Sequence, residues 1–146
     1  MTLKRYVFAA IAISTFAAVF FLGHVCGRAA AEAQKPNRVF EIRTYTTEEG
    51  KRDALLARFR DHTTKLFEKH GMANVGYWVP QDEPKSKNTL IYIIAHESRD
   101  AATKNWDAFR SDPDWNKVRT ESEAAGKIVN KVDSVFADPT DFSPLK

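Results

Sequence analysis

The sequence predicts an α+β fold of the ferredoxin-like βαββαβ type, with a four-stranded antiparallel sheet and helices on one face. Four short segments either alternate between apolar and polar residues or are rich in β-branched and aromatic residues, which is typical of strands. Two longer segments carry apolar residues at helical spacing and lie between the strands in the order that this fold requires. A short loop with two prolines joins the second and third strands, as in a hairpin.

The first 33 residues are predicted to be a targeting segment rather than part of this fold. Lys4 and Arg5 precede an apolar run over residues 6–26, and an Ala-Glu-Ala sequence ending at Ala33 is suitable for signal peptidase. We therefore expect signal cleavage near Ala33 and export to the periplasm or the medium. The alternative is an uncleaved anchor over residues 6–26, which is about as long as a membrane-spanning helix. Contact with a membrane is expected only in that case.

The charge of the chain does not indicate a nucleic-acid partner. The formal net charge is +3 and the sequence pI is about 9.0. However, residues 1–33 hold Lys4, Arg5 and Arg28 against Glu32, which leaves 19 basic and 18 acidic residues in the remainder. The only cysteine, Cys26, also lies in the targeting segment, so the exported domain needs no disulfide.

A polar linker over residues 34–38 leads into a domain that we expect to span residues 39–146. Its first strand, residues 39–46, has two differently composed faces. One face carries Phe40, Ile42 and Thr44, and the other carries Val39, Glu41, Arg43 and Tyr45. We expect the second face to meet another surface, because a solvated strand face rarely combines these residues.

The first helix is predicted to run from about residue 51 to His70 and to end at Gly71. Its apolar stripe consists of Leu55, Phe59, His62 and Leu66. His62 is the one polar ring on this stripe, and two interpretations stay open. It is either a core histidine that is hydrogen-bonded to a neighbour such as Tyr77 or Tyr92, or a functional group in a cleft between the sheet and the helices.

The second half of the domain is predicted to contain a hairpin, a helix with a sharp corner and a last strand. The hairpin strands are residues 72–79, with Gly76 marking a bulge or a close approach, and residues 89–97. Ser98 starts the next helix, which carries Ala102, Trp106 and Phe109 on one face. Asp112 and Pro113 are suited to the cap and first position of a second helical piece that ends near residue 125. The last strand is expected over residues 127–137.

Several of these segments together resemble the NIPSNAP family. The residues that carry the resemblance are Phe40-Glu-Ile-Arg-Thr-Tyr45, Gly50-Lys51, Phe59, His62, Lys69-His-Gly71, Val75-Gly-Tyr-Trp78, Trp106, Phe109, Asp112-Pro-Asp-Trp115 and Ser143-Pro144. The resemblance implies a dimeric α/β barrel, in which two sheets meet face to face, and therefore a homodimer. In that arrangement Glu41, Arg43 and Tyr45 would face the partner subunit. It implies little chemistry, although related dimeric barrels include cofactor-free oxygenases and haem-degrading enzymes.

The sequence contains no motif for a bound cofactor. It lacks a Gly-rich phosphate loop, paired cysteines and a Gly-x-Ser-x-Gly elbow, so no cofactor is predicted. No metal is predicted either, because His62, His70 and His96 lack the close spacing that places two ligands on one ion.

Two classes of function remain open. The first is a non-catalytic domain that binds a small apolar ligand or an envelope protein, and the second is a small cofactor-independent monooxygenase or isomerase with His62 as its candidate catalytic base. In either case the predicted ligand-binding residues are His62, Tyr77, Trp78, Tyr92, Trp106 and Phe109. The alternative for the aromatic members is plain core packing, because aromatic rings dominate the cores of small domains.

Overall fold

The structure is a computed structural model that describes residues 38–146. The predicted targeting segment and residues 34–37 of the predicted linker lie outside the described residues. Among residues 38–146, no helix has both the length and the apolar composition needed to cross a bilayer.

The described residues form the predicted four-stranded antiparallel sheet. Its strands are β1 (Val39–Thr47), β2 (Ala73–Trp78), β3 (Thr89–His96) and β4 (Val129–Ala137). They lie in the order β2-β3-β1-β4, and every neighbouring pair is antiparallel. This order is that of the ferredoxin-like fold, so the predicted fold class is confirmed.

Helices follow β1 and β3 and pack on one face of this sheet. The first helical segment consists of α1 (Arg52–Arg58), a π-helical turn (Phe59–Thr63) and α2 (Thr64–Lys69). The second consists of α3 (Arg99–Ser111) and α4 (Pro113–Ser122), and a short 3-10 turn (Lys85–Lys87) lies in the hairpin loop. Between sheet and helices lies a core rich in aromatic rings, which includes Phe59, Phe67, Tyr92, Trp106 and Phe109.

The corner between α3 and α4 forms as the sequence predicts. The Asp112 side chain accepts a 2.8 Å hydrogen bond from the Asp114 amide, and Pro113 occupies the first turn of α4. The other Asp112 oxygen lies 2.6 Å from His70 Nε2 and 2.8 Å from Lys69 Nζ. The corner is thereby tied to the end of α2.

The π-helical turn changes which residues of the first helical segment face the core. Leu55 and Phe59 are buried as predicted, but the next buried position is Thr63 rather than His62. A π turn widens the helix by one residue and so rotates the residues that follow it. The expected placement of His62 on the apolar stripe is therefore wrong, because His62 is exposed on the outer surface.

The assignment of the two faces of β1 is also wrong. The face that carries Glu41, Arg43 and Tyr45 lies against the helices rather than a partner. Glu41 accepts a hydrogen bond from Trp106 of α3, and the Arg43 guanidinium lies 4.2 Å from the Trp106 ring centroid. Tyr45 packs on Phe59. Strong local pairing of the charged groups makes this burial possible. The opposite face carries Ile42 of β1 together with Ile91, Ile93, Val135 and Trp78, and the described helices leave it uncovered.

Gly76 explains the position of Trp78 on this open face. The pairing of β2 with β3 shifts register between Asn74 and Gly76, as the predicted bulge requires. A Cβ atom at Gly76 would lie 2.5 Å from the Trp78 ring. Only glycine therefore allows the indole to occupy this position against the strand.

Candidate functional site

A pocket of about 180 Å³ opens between the helix-covered face of the sheet and the helices. Its walls come from β1, β4 and every helix of the first and second helical segments. Apolar side chains dominate the lining, which consists of Tyr45, Arg58, Phe59, Thr63, Phe67, Phe109, Trp115, Arg119, Glu123, Val129 and Val132. Mixed apolar walls with a few polar groups are typical of small-molecule sites.

Aromatic packing holds the inner wall of this pocket. Phe109 and Trp115 lie with ring centroids 4.5 Å apart across the α3–α4 corner. Phe59 meets Phe67 at 6.0 Å and Tyr45 at 5.8 Å, in both cases edge to face. Each contact joins a different pair of elements, so the wall is fixed by the packing of the whole domain.

Arg58 supplies a buried positive charge at this wall. Its side chain is 4% exposed, and Nη1 donates to Ser122 Oγ at 3.3 Å and to Glu123 Oε1 at 3.2 Å. The guanidinium carbon lies 5.3 Å from the ring centroid of Trp115. Its Nε is buried and has no hydrogen-bond acceptor among the described residues.

A buried ionic network lies along β1 behind the pocket. Glu41 is 1% exposed and binds Arg43 Nη1 at 2.5 Å through one oxygen. Ser134 Oγ donates to the same oxygen at 2.6 Å, while the second oxygen accepts from Trp106 Nε1 at 2.6 Å and lies 3.1 Å from His96 Nε2. Burial raises the pKa of Glu41, but the hydrogen bonds from His96, Ser134 and Trp106 outweigh it and lower that pKa to about 2. The carboxylate is therefore ionised throughout the physiological range.

Arg43 connects this network to the pocket. Its Nη2 lies 3.5 Å from the hydroxyl oxygen of Tyr45, which lines the pocket. The guanidinium carbon lies 5.5 Å from the Tyr45 ring centroid, so the cation also contacts the ring face. Tyr45 thus links the pocket to the buried Glu41–Arg43 pair.

The six predicted ligand-binding residues do not form one site. Phe109 lines the pocket, whereas Tyr92 and Trp106 are buried in the core behind it. Tyr77 stacks on Tyr92 with centroids 5.4 Å apart and does not reach the pocket.

The other two predicted residues lie on different surfaces of the domain. Trp78 is 50% exposed on the open face of the sheet. His62 lies in a depression of about 380 Å³ between α1 and α4 that opens to solvent and is also lined by Asp61, Arg58 and Glu121. The placement of His62 in a cleft between sheet and helices is therefore wrong.

Most of the residues that line the pocket are not predicted from the sequence. Trp115 and Phe109 stand out as aromatic residues that flank the corner, but Arg58 resembles any other charged residue of an amphipathic helix. A weak signal was present, because Arg58 follows Leu55 by three positions and so borders the apolar stripe. Tyr45, Val129 and Val132 depend on long-range strand pairing, which a single segment does not specify.

The described residues offer no metal centre. Among residues 38–146, no three His, Cys, Asp or Glu side chains come together as possible ligands. The pocket lining supplies aromatic rings, one phenol, the Thr63 hydroxyl, two guanidinium groups and one carboxylate.

These observations define an α+β domain of the ferredoxin-like type with a small apolar pocket between sheet and helices. The NIPSNAP family model matches residues 40–144, and the chain belongs to the NIPSNAP family. Among curated proteins, none matches the chain in sequence.

Solved structures share this fold. A NIPSNAP family protein of unknown function from Agrobacterium tumefaciens is 24% identical, with a TM-score of 0.64 over 76% of this chain and 96% of that one. A second NIPSNAP family protein from the same organism is 22% identical, with a TM-score of 0.65 over 75% of this chain and 99% of that one. A monooxygenase of Streptomyces coelicolor, in complex with nanaomycin D, is 14% identical, with a TM-score of 0.53 over 76% of this chain and 95% of that one. At these identities the likeness concerns the fold alone.

Proposed function

We propose that this domain binds a small apolar ligand, about the size of one aromatic ring, in the pocket between its sheet and its helices. The observation that carries the proposal is the pocket itself, with about 180 Å³ of space against Phe59, Phe109, Trp115 and Val129. An apolar cavity of about 150 Å³ in another protein binds benzene, so this space is sufficient for a single ring. Empty apolar space destabilises a fold, and a ligand would recover the lost contacts.

A co-purification experiment tests this proposal. Small molecules released from the purified full-length protein would be identified by mass spectrometry, and toluene would be titrated as a probe with the change in intrinsic tryptophan fluorescence as the signal. Val132 lies at the pocket and is 40% exposed, so Val132→Trp should fill the entrance and abolish both signals. Ala108→Trp adds the same ring to the exposed side of α3 and is the matched control. If the wild-type protein neither releases a molecule nor responds to toluene, the proposal is wrong.

The proposed active unit is a homodimer that pairs through the open face of the sheet. Trp78 is 50% and Val135 is 61% exposed on this face, and Ile42, Ile91 and Ile93 lie between them. An apolar sheet face of this composition favours a partner over water. A second copy of the same sheet offers the matching surface, and a different envelope protein is the alternative partner.

One observation favours a catalytic alternative, a small cofactor-independent monooxygenase or isomerase. Tyr45 lines the pocket and its hydroxyl oxygen lies 3.5 Å from Arg43 Nη2, so the pocket has a phenol beside a cation. His62 does not support this alternative, because it lies outside the pocket. Oxygen uptake in the presence of the co-purifying molecule, compared between the wild type and Tyr45→Phe, distinguishes catalysis from binding alone.

We also propose that the protein is exported before it acts. The support is the basic and apolar pattern of residues 1–33 and the small residues before the expected cleavage point after Ala33. N-terminal sequencing of the protein from the envelope of expressing cells is the test. A chain that begins near Gln34 supports export with cleavage, whereas an intact N-terminus in the membrane fraction supports the anchor over residues 6–26.

A further inference from the structure

We propose that the ligand of this pocket is a small aromatic carboxylate whose acid group is bound by Arg58. This inference rests on the proposed ligand-binding function and adds the chemical class of the ligand. Arg58 is a buried charged residue of the pocket wall, and its guanidinium group has an unpaired hydrogen-bond donor.

The hydrogen bonding of Arg58 is incomplete. A guanidinium group has five N–H donors, and buried donors nearly always have acceptors. Two acceptors, Ser122 Oγ and Glu123 Oε1, both bind Nη1, at 3.3 and 3.2 Å, while Nε is buried without an acceptor among the described residues. The side chain is 4% exposed, so bulk water does not readily replace the missing acceptor. Arg58 also lines the pocket, so an acceptor group on a bound ligand would satisfy this donor once the side chain shifts enough to uncover Nε.

The charge of the pocket favours an anion as that acceptor. Arg58 and Arg119 line the pocket against a single carboxylate, Glu123, so the lining has one excess positive charge. A carboxylate bound to guanidinium makes short, charge-assisted hydrogen bonds, often in pairs. These bonds are stronger in a partly buried site than in water.

The position of the Arg58 charge determines where the rest of the ligand, beyond its acid group, would lie. The Arg58 guanidinium lies 5.3 Å from the Trp115 ring centroid, and Trp115 packs on Phe109 at 4.5 Å. A ligand acid group at Arg58 therefore places the attached ring against aromatic walls. The volume of about 180 Å³ limits the apolar part to about one ring.

Titration calorimetry of the full-length protein with benzoate and with its neutral counterpart benzamide tests the inference. We expect benzoate to bind at least about ten-fold more tightly than benzamide, because hydrogen bonds to charged groups differ from neutral ones by that order. Arg58→Met retains an unbranched flexible side chain but removes the guanidinium group, so it should abolish this preference while benzamide binding is retained. Arg60→Met, which removes an exposed arginine two residues further on, is the matched control and should leave the preference unchanged.

Glu123→Gln provides a second test that leaves the guanidinium in place. It removes the negative charge that competes for Arg58, so benzoate affinity should rise several-fold without a change for benzamide. Equal binding of both probes in the wild type, or a preference for benzoate that survives Arg58→Met, overturns the assignment of the carboxylate while the apolar pocket stands. If neither benzoate, benzamide nor toluene binds, the proposed function fails together with this inference.

Discussion

The indole nitrogen of Trp106 donates a 2.6 Å hydrogen bond to Oε2 of Glu41, which joins helix α3 to the central strand β1 across the core. Both side chains are buried, with 8% of Trp106 and 1% of Glu41 exposed. Arg43 completes the arrangement, since it bonds Glu41 and lies on the Trp106 ring. From the sequence, Trp106 can be interpreted as an ordinary core residue. In the structure it is also a hydrogen-bond donor to a buried carboxylate.

Trp106→Phe separates these two roles. A smaller aromatic ring remains, but Glu41 loses one of its donors, so we expect the free energy of unfolding to fall by about 1–3 kcal/mol from the lost hydrogen bond, in addition to the cost of reduced packing. Chemical denaturation followed by circular dichroism, at one protein concentration, measures the change. Trp115→Phe is the control, because the partly buried Trp115 indole undergoes the same change of ring but makes no such bond, so its effect should be smaller. Equal effects of the two variants would mean that the hydrogen bond contributes nothing measurable.

The low pKa of Glu41 makes stability depend on pH in the acid range. A carboxyl whose pKa is lower in the folded state stabilises the fold above its unfolded pKa of 4.5, and this contribution disappears as pH falls toward the folded pKa of about 2. We expect a loss of about 3 kcal/mol across this window from Glu41, which is an order-of-magnitude value. Asp112 changes stability in the same direction, because bonds from Lys69 and His70 also lower its pKa.

Glu41→Gln isolates the contribution of Glu41 from that of Asp112. The variant should be less stable than the wild type at neutral pH by about 3–5 kcal/mol, because Arg43 loses its buried counter-charge. The difference should narrow as pH falls from 4.5 toward 2, as urea denaturation at each pH would show. Glu97→Gln, on the exposed residue after β3, should follow the wild-type profile throughout. A constant difference between Glu41→Gln and the wild type would contradict the pKa argument.

The sequence predicts the elements of this fold well, because each depends on local patterns. Strand alternation, the Asp112 cap and the Gly76 bulge all involve residues within a few positions of each other. The face of β1 that is buried depends instead on partners far along the chain, since Glu41 is neutralised by Arg43 but also bonded by Trp106, 65 residues away. Alternation shows which residues share a face, and it does not show which face the helices cover.

The same limit applies to the candidate site. Arg58 reaches Glu123 across a separation of 65 residues, and its position beside the apolar stripe is only a weak local indication that this charged residue is buried. The predicted placement of His62 was wrong for a different reason, because one π-helical turn rotates the residues after Phe59 relative to an ideal helix. A regular period of 3.6 residues cannot anticipate such a turn.

The proposed dimer can be tested with two substitutions on one strand. Val135 lies on the open face of β4 and Val132 on the helix-covered face, and both are exposed, at 61% and 40%. Val135→Asp places a charge in the proposed interface, so light scattering at micromolar concentration should change from twice the chain mass to a single chain. Val132→Asp should remain dimeric. A wild-type monomer, or a dimer that tolerates Val135→Asp, would exclude pairing through this face.

Substitution of His62 tests whether this residue lies in the pocket, as the sequence pattern suggests, or outside it, as the structure has it. As an exposed residue in an open depression, it should tolerate His62→Ala with a change in unfolding free energy within about 0.5 kcal/mol. Toluene binding should also be unchanged, since His62 does not line the pocket. Phe59→Ala, three residues earlier at a site that is 5% exposed, should cost about 3–5 kcal/mol and weaken toluene binding. Thermal denaturation and the fluorescence titration of the two variants decide the matter. A strong loss of binding in His62→Ala would return this histidine to the site and would restore a base for the catalytic alternative.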